Sequence, residues 1–200
     1  MPGARIASGE RVTLRSVEEE DVPFLQRASA NPEIRYPLGS YLRNQEAMDV
    51  SEERGTDRFL VCLDGEDAGP GQPDEDEIRR IGAVNAEEMH YRRPELGYWL
   101  IPEVHGQGYG KEAVGLVVDC LFREYDKPAI GAGAFDHNDA SRGLLESLGF
   151  TQEGRRRKFM FVDGEYRDMV QYGLLREEWQ MERTRAERSM TAGDSVSQGG

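Results

Sequence analysis

The chain has 200 residues, a formal net charge of −13, 38% hydrophobic and 32% charged residues. That length suits one domain able to bury its own core, and the acidity excludes nucleic acid as the main partner, because binding a phosphate backbone needs a basic face. No apolar run approaches the roughly 20 residues of a membrane span and the amino end lacks a signal-peptide core, so the expectation is a cytoplasmic protein with no membrane contact, monomeric or homodimeric.

Cys62 and Cys120 fall inside predicted apolar elements and match no metal spacing; they read as small buried hydrophobes, with no metal expected. Lysine occurs only at Lys111, Lys127 and Lys158, and arginine supplies the remaining positive charge. Acid excess with few lysines is the composition of proteins from salt-loving microbes, although a GC-rich genome gives the same arginine bias.

In chain order, residues 1–8 are expected to be flexible and the folded domain to cover 9–179. Arg11–Ser16 alternates as a strand, with Val12 and Leu14 on one face. Ser16 and the acidic run Glu18–Asp21 suit a helix start; that helix carries Val22, Leu25 and Ala28 inward and ends near Asn31-Pro32. Residues 33–42 read as irregular, with Tyr36, Leu38, Tyr41 and Leu42 either walling a substrate pocket or packing as an ordinary loop. A second helix is expected over 44–54 and a strand over Asp57–Leu63. Residues 64–77, acidic and rich in Gly and Pro, read as a solvated surface loop. Ile78–Glu88 is the next strand, antiparallel to Asp57–Leu63 and to Glu95–Ile101.

Glu95 to Ala113, ELGYWLIPEVHGQGYGKEA, organises the rest. Pro102 ends an apolar, aromatic strand, because proline has no N–H for the ladder. Gly106, Gly108 and Gly110 then alternate with Gln107 and Tyr109, letting successive N–H groups turn toward one point without a Cβ in the way. From Lys111 the apolar positions Ala113, Leu116, Val117, Cys120 and Leu121 recur at helical spacing. Glycine-lined amides opening a helix make an anion site. A P-loop fails, because His105 and Glu112 stand where it needs a glycine and a hydroxyl. A dinucleotide turn fits poorly, because the spacing is G-x-G-x-G and Pro102–His105 intervene. An unliganded glycine turn also stays open at this point. Downstream, Pro128–Phe135 is a strand, Asn138–Leu148 a helix, and Phe150–Val162 and Tyr166–Leu175 are strands joined by an Asp163-Gly164 hairpin turn. Residues 180–200 are expected to be a disordered tail.

Three stretches in this order resemble the GNAT superfamily of acetyltransferases, closest to its RimJ/RimL-type branch: GERVTLRSVEEEDVPFL, ELGYWLIPEVHGQGYGKEA and NDASRGLLESLGFTQEGRRRKFMFVDGEYRDMVQYGLLREEW. His105–Gly110 is similar to that family's coenzyme loop, with His105 where Gln or Arg is usual. The resemblance implies a single α/β (α+β) domain with a mixed, mostly antiparallel sheet of about seven strands flanked by helices, its central strands splayed. It also implies an acetyl-CoA-dependent N-acetyltransferase acting on a primary amine.

On the same resemblance, Leu100 and Ile101 meet the pantetheine arm of acetyl-CoA through main-chain atoms. His105, Gly106, Gln107, Gly108, Tyr109, Gly110 and Lys111 form the diphosphate loop, while Lys111 and Tyr109 equally read as a surface lysine and a packing residue. Asn138 is both a candidate coenzyme contact and a helix cap. For the chemistry, an amine must lose a proton and a departing thiolate must gain one. Glu95, opening the strand, is the candidate base, with strand-end surface acid as the alternative; Glu87, Glu88, His90 and His137 stand in reserve. The tyrosine that many members use as donor is replaced by Leu145, leaving Ser141, which also reads as a first-turn cap. The acceptor reads as a protein amino terminus, with polyamines and aminoglycoside-like amines open. Two other classes remain: a non-catalytic acetyl-CoA sensor and a nucleotide-binding protein.

Overall fold

A computed structural model of the chain describes residues 3–40, 55–64, 78–89, 93–181 and 184. Eight strands form one sheet: β1 (Arg5–Ser8), β2 (Thr13–Ser16), β3 (Asp57–Asp64), β4 (Ile78–Glu87), β5 (Glu95–Leu100), β6 (Ala129–Phe135), β7 (Thr151–Val162) and β8 (Glu165–Leu175). Their order is β1-β2-β3-β4-β5-β6-β8-β7. Neighbours are antiparallel except β5 and β6, which are parallel. The mixed, mostly antiparallel architecture expected from the sequence is therefore present, with one strand more. The additional strand is β1, inside the segment expected to be flexible. Four residues carry little pattern of their own; β1 is fixed by pairing with β2 and by Arg5, whose guanidinium meets Asp64 of β3 at 2.9 Å.

Residue alternation along the strands sorts the core to two faces. In β3, Phe59 and Val61 join the cluster beneath helix α3 (Tyr109–Glu124) and helix α4 (Asp139–Ser147), with Val114, Val117, Val118, Leu121 and Leu145. Leu60 and Cys62 point the other way, to Ile78 and to Phe24 and Leu25 of helix α1 (Val22–Ala30). A 3-10 turn at Glu19–Asp21 precedes α1. Asp21 is fully buried and holds the Arg80 Nε at 2.6 Å, which fixes α1 to β4.

Helix α2 (Pro32–Leu38) takes up most of the segment expected to be irregular over 33–42, of which Tyr41 and Leu42 lie outside the described residues. In the sequence Asn31-Pro32 reads as the end of the preceding helix. Pro32, however, sits in the first turn, where its missing N–H is not needed, the Asn31 side chain accepts from Glu33 N, and Gly39 closes the helix at φ 63°. The helix expected over 44–54, most of the acidic loop 64–77, His90 and nearly all of the tail 180–200 lie outside the described residues.

The β7–β8 turn at Asp163-Gly164 has positive φ at both positions, 47° and 81°, the geometry an Asp-Gly pair supports. After β8 a helical segment docks on α3. Trp179 Nε1 donates to Asp119 at 2.8 Å, and Arg176 donates to the carbonyls of Phe122, Tyr125 and Lys127 at the α3 carboxyl end.

Candidate active site

The β5–β6 pairing covers only Glu95↔Gly131 and Leu96↔Ala132, with Gly131 N donating to Pro94 O at 2.7 Å. Beyond Leu96 the two strands part. Each remains paired on its other side, β5 to β4 as far as Leu100 and β6 to β8 along its whole length. Consequently Gly97 and Gly133, both in central strands of an eight-stranded sheet, are exposed. The Ile101 N–H is spent on Ile81 O of the β4 side, so Ile101, expected to meet the coenzyme arm, turns its main chain away from the gap, and by antiparallel alternation Tyr98 and Leu100 aim theirs into it. Buried polar backbone needs a partner, and a gap edged by such groups suits an extended ligand carrying amides of its own.

The open end of the gap meets the glycine loop. Gly106 and Gly108 take φ of 73° and 85°, a left-handed conformation that glycine adopts without strain. Gly108 caps α3, whose first residue is Tyr109, so the helix begins two residues earlier than the spacing from Lys111 suggests. A Cβ on Gly106 would touch nothing within 4 Å, so its outer side is open; a Cβ on Gly110 would lie 2.9 Å from the end of the Leu144 side chain on α4, so glycine lets the two helices approach there without displacing Leu144. His105 Nε2 lies 2.9 Å from Leu100 O, closing the strand end onto the loop and occupying one of the carbonyls facing the gap. Gln107 donates back to Glu103 O at 3.2 Å, and Lys111 is exposed. Exposed glycine amides at the start of a 16-residue helix fit a diphosphate by charge and by hydrogen-bond direction.

At the closed end sits Glu95. Its carboxylate lies directly over Gly131: a Cβ there would fall 2.2 Å from Oε1 and 2.7 Å from Oε2. Arg93 Nη2 holds the same carboxylate at 3.4 Å while its Nη1 binds Glu153 at 2.7 Å. Glu153 and Arg93 in turn lie over Gly173, the β8 partner of Gly131. Paired glycines on adjacent strands thus form a bare floor under an acid–guanidinium–acid row. Burial raises the Glu95 pKa above the ordinary glutamate value of 4.5, with Arg93 and then Arg156 pulling the other way. Such a carboxylate is a better proton acceptor near neutrality than a solvated one.

Ser141 is on the other face. Residues three apart on a strand point to opposite sides, and Tyr98 turns toward α4, where its hydroxyl lies 2.8 Å from Ser141 Oγ and 3.2 Å from Ser141 O. Burial pushes the Tyr98 phenol up to about 12, against the opposing hydrogen bond to Ser141, so it stays protonated. The phenol has one hydrogen: when it goes to Ser141 Oγ, the shorter contact, and not to Ser141 O, the serine hydrogen is available to a third group. Asn138 Oδ1 accepts from Ser141 N at 3.1 Å, so the cap expected from the sequence is formed. Its amide NH2 has no partner among the described residues and points to no fixed use within the fold. Leu145 is completely buried in the α4 core and offers no chemistry.

Of the reserve candidates, Glu87 is exposed opposite Glu95, and Glu88 is exposed at φ 63°. His137 stacks on Phe135 at 5.9 Å with Asp136 at 3.8 Å. Three participants escape a reading of the sequence alone: Arg93, Tyr98 and Gly131. Period-2 alternation within ELGYWL places Tyr98 on the helix face, but its contact with Ser141 depends on how α4 packs.

The sequence pattern of the acetyltransferase (GNAT) domain family matches residues 11–151. The chain is a GNAT acetyltransferase. YdaF of Bacillus subtilis (strain 168), a candidate ribosomal N-acetyltransferase, is 29% identical over 180 residues, covering 87% of this acetyltransferase and 96% of YdaF. Spermidine N(1)-acetyltransferase of Escherichia coli (strain K12) is 24% identical over 178 residues, covering 86% and 90%. Among solved structures, spermidine N-acetyltransferase from Vibrio cholerae, in complex with CoA and spermine, superposes with a TM-score of 0.74 at 20% identity, covering 86% of this chain and 99% of that one. The acetyltransferase therefore has the GNAT fold and moves an acetyl group from acetyl-CoA to an amine. Among the described residues no helix is long and apolar enough to cross a membrane, and no cluster of His, Cys, Asp or Glu could hold a metal ion.

Proposed function

We propose that this acetyltransferase acts on the free amino terminus of a polypeptide, with Glu95 as the base and Ser141 as the hydrogen-bond donor to the departing thiolate. One observation carries the assignment of roles: Glu95 stands where β5 and β6 diverge, while the glycine loop stands at the open end. About 16 Å of extended strand separates Glu95 from the end of β5, so a chain lying along the gap from the loop ends beside Glu95. Acetyl-CoA supplies an acetyl group already activated as a thioester. Residues 106–111 hold its diphosphate and the main chain at Tyr98 and Leu100 its arm. Asn138 steadies that arm through its unused NH2. Glu95 takes the amine proton from one face of the sheet while Ser141, backed by Tyr98, meets the leaving sulfur from the other.

The surroundings of Glu95 support a polypeptide over a polyamine. Arg93 touches the base, and Arg156 lies on the same sheet face, in register with Met169 and Phe135. Arg93 already pairs with both Glu95 and Glu153, so the row offers no spare carboxylate to seat a second ammonium of a polycation, and Arg156 adds positive charge beside it. Thiol release measured with a free-amino-terminus peptide, its amino-terminally blocked form and spermidine tests the acceptor. The expected order is free peptide above spermidine by about tenfold or more in kcat/KM, with the blocked peptide inert. Spermidine turning over faster than every peptide tried overturns the polypeptide assignment.

A further inference from the structure

The turn between β1 and β2 bears directly on the glycine loop, although it is remote in sequence. Arg11 Nη1 donates to Gln107 O at 2.9 Å. Its guanidinium also lies over the Tyr109 ring, 4.6 Å from the centroid, and its Nε is 3.4 Å from Glu112 Oε2. The Glu112 carboxylate in turn accepts the backbone N–H groups of Arg11 at 2.7 Å and Val12 at 3.1 Å. The turn is closed by Gly9 N donating to Val12 O at 2.8 Å, and a Cβ on Gly9 would fall 2.4 Å from Glu112 Oε1. One guanidinium therefore grips residues 107, 109 and 112, which enclose the loop's last two glycines.

We infer that Arg11 is a positioning residue for the coenzyme loop, holding its amides aimed at the diphosphate. The inference rests on the reading that residues 106–111 receive that diphosphate. In a trans peptide the C=O and the following N–H point in opposite directions. Arg11 fixes the Gln107 carbonyl toward β1–β2, so the Gly108 N–H faces away from them. In the sheet order β2 and β6 lie on opposite sides of β5, so that direction is the side of the gap. Glycine on both flanks of Gln107 leaves this peptide free to rotate, and an unrestrained loop must be ordered at the moment of binding. The Arg11 charge is balanced by Glu112, so its contribution is orientation more than attraction.

The test compares acetyl-CoA with S-acetylpantetheine, which shares the thioester and arm but lacks the diphosphate. Arg11→Met keeps a stem to cover Tyr109 and removes the fork; Arg11→Lys keeps the charge without the fork. Arg11→Met is expected to lower kcat/KM for acetyl-CoA about 10- to 100-fold through KM, the scale of one charge-assisted hydrogen bond, with kcat unchanged. Turnover of S-acetylpantetheine should be unaffected, and Arg11→Lys should recover only part of the loss. Equal losses on both donors, or no loss on either, overturn the inference. If the wild-type enzyme itself shows no preference for acetyl-CoA over S-acetylpantetheine, the diphosphate is not held at this loop, and the reading beneath the inference fails with it.

Discussion

Gly131→Ala separates the position of the base from the stability of the fold. Gly131 is not at a positive φ, so alanine meets no backbone strain there. The added Cβ would lie 2.2 Å from Glu95 Oε1, 2.6 Å from its Cδ and 2.7 Å from Oε2, and it meets no other atom so closely. An ordinary carbon–oxygen contact needs more than 3 Å, so the carboxylate must retreat by about 1 Å. The Glu95 side chain is flexible and 44% exposed, so it can move at little cost. Replacing a strand glycine also removes unfolded-state freedom, a gain of about 0.4–1 kcal/mol. The variant should therefore melt no lower than wild type and bind coenzyme A equally well. A catalytic group misplaced by about 1 Å loses on the order of 100-fold in rate, and kcat should fall by that factor. Steady-state thiol release, with a calorimetric Kd for coenzyme A and a thermal melt, reads all three quantities. A normal kcat in a stable variant would refute the assignment of Glu95 as the base.

The remaining predictions concern the base, the donor, the loop and the charge. Glu95→Gln should reduce kcat about 100-fold or more, and the wild-type rate should climb as pH rises through the raised Glu95 pKa, a limb absent from the variant. Folding raises this pKa, so the folded state holds the proton more tightly than the unfolded chain. Stability contributed at Glu95 therefore declines between the ordinary value of 4.5 and the higher folded value. The melting temperature of Glu95→Gln relative to wild type should accordingly increase with pH across that window; a gap that shrinks would contradict the burial of the carboxylate. Ser141→Ala should cost about 100-fold in kcat, and Tyr98→Phe about tenfold, with KM for acetyl-CoA little changed in both; unchanged kcat in Ser141→Ala would remove it from the chemistry. Gly108→Ala forces a side chain into a conformation at φ 85°, at about 1–2 kcal/mol, and should raise the acetyl-CoA KM while leaving kcat intact. With a net charge of −13, the melting temperature should rise between about 0.1 M and about 2 M KCl as self-repulsion is screened; a flat or falling profile would argue against adaptation to salt.

How far the sequence disclosed the site follows from the range of the forces involved. The loop and the start of α3 are local, since glycine at 106 and 108 announces positive φ and the apolar spacing announces a helix. The β7–β8 hairpin is equally local, set by Asp163-Gly164. Helix α2 is hidden because Asn31-Pro32 reads as the end of α1, whereas the Asn31 cap and the left-handed Gly39 make the same residues open and close a new helix. Strand β1 was hidden because its order comes from β2 and Asp64, not from its own four residues. Glu95 could be named as a base, but its seat required the register that sets it against Gly131, and that register joins residues far apart in the chain. The Tyr98–Ser141 contact spans 43 positions and depends on helix packing that no local pattern encodes.

A crystal structure with coenzyme A bound tests the central claim most directly. The account predicts the arm lying between β5 and β6 beyond Leu96, bonded to the main chain at Tyr98, with the diphosphate on the amides of residues 106–111 and the sulfur between Glu95 and Ser141. A diphosphate bound elsewhere on the surface, or an arm that avoids the gap and leaves its edges bare, would contradict it.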